Sequence, residues 1–303
     1  MVSSLRSLLF WIFDIFAIVS VIGRPTRRYV PHFEHGVKVA TVSSNEIHEA
    51  SGLCASRLHR DVLYTHNDSG DHTGSIYAIS AHDGSTIAQI TIHGATNIDW
   101  EDIACGKCPG HPQEFCIYIA DIGGNTHAAA NTIYRIKEPA TFSSHLTVNL
   151  DSTLTFAWSE HNAETLMVDP HGELYVVSKI VGGHGRMVKL PSSAWGSSHA
   201  ASVTDGIHLN LDSTRNDPVG GDISPSGYEV LIKTLDHVNY YYVPDGDYMK
   251  HMTSRPIQLP YEREGQGESI AWASDGRGYF TLGEGRHQPV WYYKRVGDPA
   301  TVG

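Results

Sequence analysis

The chain has 303 residues, 41% of them hydrophobic and 10% aromatic, which is enough core for one large domain or two small ones. Its formal net charge of −11 argues against nucleic acid or an anionic membrane surface as the main partner. No GxSxG, Walker or HExxH pattern occurs, which removes the commonest serine-hydrolase, P-loop and zincin chemistries.

The first stretch, MVSSLRSLLFWIFDIFAIVSVIGRP, reads as a signal peptide over residues 1–23. Arg6 gives the positive start, an apolar run follows, and Val21-Ile22-Gly23 sits near the cleavage point; a retained anchor is the alternative, and Asp14 inside the run speaks against it. Residues 24–36 form a linker with a dibasic pair, Arg27-Arg28, and residues 297–303 a short tail. The mature protein is expected to be secreted and monomeric, and the 19 histidines, scattered singly, to lie on its surface. Four cysteines suit an oxidising route. Cys108 and Cys116 flank a turn and can staple a hairpin, leaving Cys54 and Cys105 to join neighbouring strands, although spacing alone leaves three connectivities open.

Between residues 37 and 296 one pattern recurs: ASGLCAS from Ala50, WEDIACG from Trp100, AETLMVD from Ala163, GGDISPS from Gly220 and GESIAWA from Gly267. About ten residues later each meets a second β-rich run: DVLYTHND, CIYIADIG, ELYVVSK, YEVLIKT and GYFTLGEG. The turns DPHGE, SPSGY and SDGRG are hairpin signals, and helical periodicity is nearly absent after the leader. The pattern predicts an all-β, five-bladed β-propeller, with a six-bladed ring as the alternative. A jelly roll or sandwich leaves the recurring motif unexplained. The last repeat holds only about three strands, so VKVATVSS from Val37 is expected to complete it and close the ring.

A propeller brings the starts of the inner strands to one axial mouth. The simplest alignment equates Ser51, Glu101, Glu164, Gly221 and Glu268, with Asp102 and Asp222 one position further in. Acids gathered so closely repel unless water, a basic partner or a cation compensates them. Oxygen-only ligands select a hard ion, Ca²⁺ before Mg²⁺. Glu101, Glu164, Glu268, Asp102 and Asp222 are therefore the expected metal ligands. The second runs end on the same face, bringing Asn67, Asp68 and Asp71, Asp121 and Asn125, Lys179, Lys233, Glu284 and Arg286 to it. That mixture suits a small anionic or polyhydroxyl ligand, or an extracellular protein partner. The tyrosine-rich VNYYYV and VWYYK read as strands packed between blades.

Taken together, EASGL, HNDSGD, DWEDIA, DIGGN, IYRIKEP, GGDISPSG and GQGESIAW resemble a widespread group of secreted β-propeller proteins. That group shares, in order, NDSG, DWED, DIGDN, a Glu-Pro, GGDISPDG and a late GE-[AS]-I. The resemblance spans nearly the whole mature chain and implies a propeller with a shared polar face; it implies no reaction. Gly124 stands where the group has the second Asp of DIGDN, Ser226 replaces the Asp of SPDG, and Lys233-Thr234 replaces Arg-Thr. More distantly, the architecture is similar to calcium-dependent nucleotidases and to phytase-like and lactonase-like propellers, which leaves a metal-dependent hydrolase of a phosphoester or lactone as the competing expectation.

Overall fold

Five runs of small and β-branched residues become the innermost strands of five sheets. In the computed structural model, which describes residues 30–69, 73–124, 130–180, 185–211 and 217–299, each run is followed by its own antiparallel neighbours. The leader at 1–23, Asp71, Asn125 and the end of the tail lie outside these residues.

Blade 1 starts at Ala50–Ala55, blade 2 at Trp100–Cys108, blade 3 at Ala163–Val168, blade 4 at Pro218–Ile223 and blade 5 at Gly267–Trp272. The five inner strands pack side by side, and the fifth returns to the first, so the ring is a five-bladed propeller. Each inner strand is buried from end to end except where blade 2 reaches the surface at Gly106 and Lys107. Blades sit so close near the axis that a Cβ on Gly220 would overlap the Glu268 carbonyl.

The ring closes where the sequence placed the closure. Val37–Thr41 pairs antiparallel with Pro289–Val296, the third strand of blade 5. Pairing starts earlier than the Val37 boundary, because His32–Phe33 also joins this strand, at Val296 and Arg295. The Phe33 ring explains this: it lies 6.0 Å from Trp272 and 5.0 Å from Tyr279, under the Arg295 guanidinium. Arg295 in turn meets Glu229 of blade 4 at 2.8 Å, both side chains fully buried. The tyrosine-rich strands pack between blades as expected, with Tyr240 and Tyr293 in the core shared by blades 4 and 5.

Cys54–Cys105 ties the inner strands of blades 1 and 2, and Cys108–Cys116 staples the blade 2 hairpin. The first bridge spans 51 residues, a loop whose closure is worth about 4 kcal/mol in the chain-entropy account.

Polar side chains tie neighbouring blades near the axis. Ser51 Oγ donates to the Glu101 carbonyl at 2.8 Å, Asp102 accepts from the Leu166 amide at 2.8 Å, Asp222 accepts from the Trp272 amide at 2.8 Å, and Ser269 Oγ donates to the Ala50 carbonyl at 3.3 Å. Each tie satisfies a backbone group that no strand ladder reaches.

Candidate metal centre in the axial mouth

Every inner strand opens on a β-bulge, and the bulge decides which side chain faces the axis. In blades 2, 3 and 5 the extra residue is Glu101, Glu164 or Glu268, because pairing resumes one residue later on the inner strand than on its partner. Blade 1 has Ser51-Gly52 there. Blade 4 has Val219, lying between Pro218↔Thr234 and Gly220↔Lys233. Gly221 is therefore not the counterpart of Glu101, and the expected alignment is two residues out in that blade. A second ring lies just past the end of each second strand and holds Asp68, Ile122, Lys179, Leu235 and Glu284.

Together these rings enclose a polar cavity of about 320 Å³ lined by Asp68, Glu101, Gly124, Asn162, Glu164, Lys179, Gln266, Glu268 and Glu284. Glu101, Glu164 and Glu268 all face it, as the sequence implied. The tightest acidic set is a different one: one oxygen from each of Asp68, Asp99 and Glu101 lies within 4.8 Å of the other two. That spacing falls within the roughly 5 Å diameter of a calcium ligand shell.

Backbone stitching holds these three carboxylates in place. The Trp100 amide donates to the Asp68 carbonyl at 3.1 Å, and the Gly123 amide to the Asp99 carbonyl at 3.2 Å. Gly123 is required by the approach: a Cβ there would overlap the carboxylates of both Asp99 and Glu101. Burial pushes Asp68 up to about 7, with Asp99 and Glu268 adding to the shift. Glu101 is held well above the ordinary carboxylate range by burial first and by Glu164 second. Both shifts express the cost of burying like charges close together.

Glu164 and Glu268 are compensated differently. Lys179 Nζ donates to Glu164 Oε1 at 2.6 Å and lies 4.0 Å from Glu268. Burial works against the Lys179 charge, but Glu164 and Glu268 outweigh it and raise its pKa. Glu164 still reaches about 7 through burial, which Lys179 only partly offsets. Glu284 is raised to about 8 by burial first and then by its hydrogen bond with Glu268. Lys179 is thus an internal counter-charge and not a free anion ligand.

Several expected site residues serve the scaffold. Both Asp102 oxygens are spent on the amides of Ile103 and Leu166, and Asp222 lies on the Trp272 amide, so neither reaches the metal trio. Lys233 is fully buried, hydrogen-bonded to Tyr261 and the Gly267 carbonyl and 3.8 Å from Glu264. Burial lowers it to about 8 against the opposing pull of Glu264. Its register position is that of Val177 in blade 3 and Leu282 in blade 5, two residues short of Lys179. Asn67 closes the loop before blade 1: its Oδ1 accepts from His48 and Glu49 at 3.0 and 3.1 Å, and its Nδ2 donates to Glu46. Asp121 accepts from the Asp99 amide at 2.9 Å and so positions a trio member; burial raises its own pKa to about 6. Arg286 is exposed and does not line the cavity.

Sequence reasoning left Asp99 and Gly123 out of the site. Asp99 stands in the acid-rich WEDI approach, and Gly123 precedes the Gly124 substitution in DIGGN; the paired glycines were the available signal. At Gly124 a Cβ would come within 3.0 Å of Asn162, whose side chain borders that space.

No family model matches the chain, and no curated protein does either. Solved structures do. The PQQ-bound aldose sugar dehydrogenase of Streptomyces coelicolor aligns with a TM-score of 0.52 at 11% identity, covering 88% of this chain and 99% of that one. The major allergen Mala s 1 of Malassezia sympodialis aligns with a TM-score of 0.55 at 11% identity, covering 84% of this chain and 95% of the other. The likeness is one of fold. At that identity the propeller architecture is what the chain shares with them.

Proposed function

We propose that the protein is a secreted, non-catalytic binding module that holds a divalent cation, Ca²⁺ before Mg²⁺, on Asp68, Asp99 and Glu101 at the axial mouth. The remaining cavity wall then receives a small ligand. One observation carries the reading: carboxylates from two segments, Asp68 after the second strand of blade 1 and Asp99 with Glu101 at the start of blade 2, converge within 4.8 Å, two of them buried, over a glycine that leaves them room. Carboxylate oxygens alone favour a hard ion, and the loose spacing favours the larger one. Two disulfides support an oxidising compartment, and among the described residues no helix is long and apolar enough to cross a membrane.

The test is calorimetric titration of EDTA-stripped protein with Ca²⁺ and with Mg²⁺. Single-site binding that prefers Ca²⁺ and is lost in Glu101→Gln and Asp68→Asn supports the reading; no heat and no change in melting temperature overturns it. A second reading, a metal-dependent phosphoester or lactone hydrolase, is favoured by Glu284, a cavity-lining carboxyl that burial and Glu268 raise to about 8, which suits a general acid next to a cation. Metal-dependent turnover of an aryl phosphate or a lactone would select it.

A further inference from the structure

The cavity beside the trio has an uneven hydrogen-bonding inventory. Among the described residues its side-chain donor nitrogens all face carboxylates: Lys179 Nζ is on Glu164 and near Glu268, Asn162 Nδ2 donates to Glu164 Oε1 at 3.2 Å, and Gln266 Nε2 donates to Glu284 at 2.8 Å. Its free groups are acceptors. Glu164 Oε2, on a side chain only 7% exposed, has no partner, and neither has Asn162 Oδ1, whose orientation is fixed by the bond its Nδ2 makes. A buried acceptor left unmet is destabilising, so an occupant that brings hydrogens is favoured.

Charge narrows the occupant further. Among the described residues, six carboxyl groups (the trio with Glu164, Glu268 and Glu284) face one ammonium, Lys179. Protons on the raised carboxyls and a divalent ion offset that excess without reversing its sign, so the cavity offers an added anion no net positive charge. Among the described residues no apolar side chain lines the cavity, which argues against a hydrophobic guest. Its volume of about 320 Å³ stands at the small end of the roughly 300–1,000 Å³ usual for small-molecule sites.

We infer that the ligand of this cavity is a small neutral polyhydroxyl compound, a monosaccharide, alditol or cyclitol, whose hydroxyl hydrogens go to Glu164 Oε2 and Asn162 Oδ1 while neighbouring hydroxyl oxygens face the cation. The cation half of this statement rests on the function proposed above; the hydrogen-bonding half does not. A hydroxyl group suits both demands, since it donates one hydrogen and keeps two lone pairs. The anionic alternative raised by the sequence is thereby set aside.

The experiment is calorimetry of the full mature chain with and without Ca²⁺. The probes are a panel of neutral monosaccharides, alditols and cyclitols, with their monophosphates and spermidine as comparators. Saturable binding of a neutral polyol, stronger than that of its monophosphate or of spermidine, is expected. Glu164→Gln turns the free acceptor into a donor and weakens polyol binding about tenfold or more, the loss expected for a hydrogen bond to a charged group, while Ca²⁺ still binds the trio, more weakly because one nearby negative charge is gone. Melting curves confirm that the variant is folded. Absence of binding across the panel, preference for the phosphate or the amine, or equal affinity in Glu164→Gln overturns the inference. Polyol binding by a protein that gives no heat with Ca²⁺ sinks the cation proposal and leaves the hydrogen-bonding half of the inference standing. Ca²⁺ binding without polyol binding does the reverse.

Discussion

Replacing Lys179 by Met keeps the length and apolar stem of the side chain and removes only its charge. The Lys179, Glu164 and Glu268 side chains are 19%, 7% and 10% exposed, so the pair is largely desolvated. Removing one partner of a fully buried pair costs about 3–5 kcal/mol, and partial exposure of the lysine puts this case at about 3 kcal/mol when both carboxylates are ionised. For a domain of this size that is a fall of about 6 °C in melting temperature. Because Glu164 takes up a proton near pH 7, the loss shrinks in acid, where the carboxyl is neutral and needs no counter-charge. The same substitution removes a positive charge beside the trio, so divalent-ion affinity rises. The assay is calorimetric melting of wild type and Lys179→Met in EDTA at about pH 8 and pH 5.5, followed by Ca²⁺ titration. A penalty equal at both pH values, or Ca²⁺ affinity that falls in the variant, would refute the reasoning.

Other outcomes follow from the same geometry. Gly123→Ala places a methyl group against Asp99 and Glu101 and should abolish Ca²⁺ binding by titration while circular dichroism stays that of the wild type. Asp102→Ala strands the Ile103 and Leu166 amides, costing about 2–4 kcal/mol in urea unfolding, with Ca²⁺ affinity unchanged; lost affinity would return Asp102 to the ligand set. Asp68, Glu164 and Glu284 titrate near 7, 7 and 8 in the folded protein, above ordinary carboxylates. The native state therefore binds more protons than the unfolded chain from about pH 5 to pH 7.5, and metal-free stability should fall across that window. Buried His66, lowered to about 4 by desolvation, opposes this through a single proton below about pH 6.5. Saturating Ca²⁺ should flatten the slope, and a metal-free melting temperature that climbs through the window would contradict the electrostatics.

Architecture was legible because the same few residues begin every blade, and because the count of strands left room for Val37–Thr41 to close the ring. Register was not. GGDISPS aligns naturally with WEDIACG on its acidic residue, yet pairing places the blade 4 bulge at Val219, which sends Asp222 deeper, onto the Trp272 amide. A shift of two residues keeps the strand's faces unchanged, so the hydrophobic pattern carries no trace of it. The two lysines illustrate the same limit. VVSK and LIKT look alike, but one lysine stands past its strand's end in the cavity and the other within the strand between blades. Asp99 was visible as one of the crowded acids of DWED but stayed outside the ligand set, because it precedes the strand and only the folded loops bring it to Asp68.

The most direct measurement is anomalous scattering from crystals of protein stripped with EDTA and resupplied with calcium. The account predicts one strong peak bounded by Asp68, Asp99 and Glu101, beside Gly123 and clear of Lys179. An empty trio under saturating calcium, or a peak held elsewhere on the ring, would contradict it.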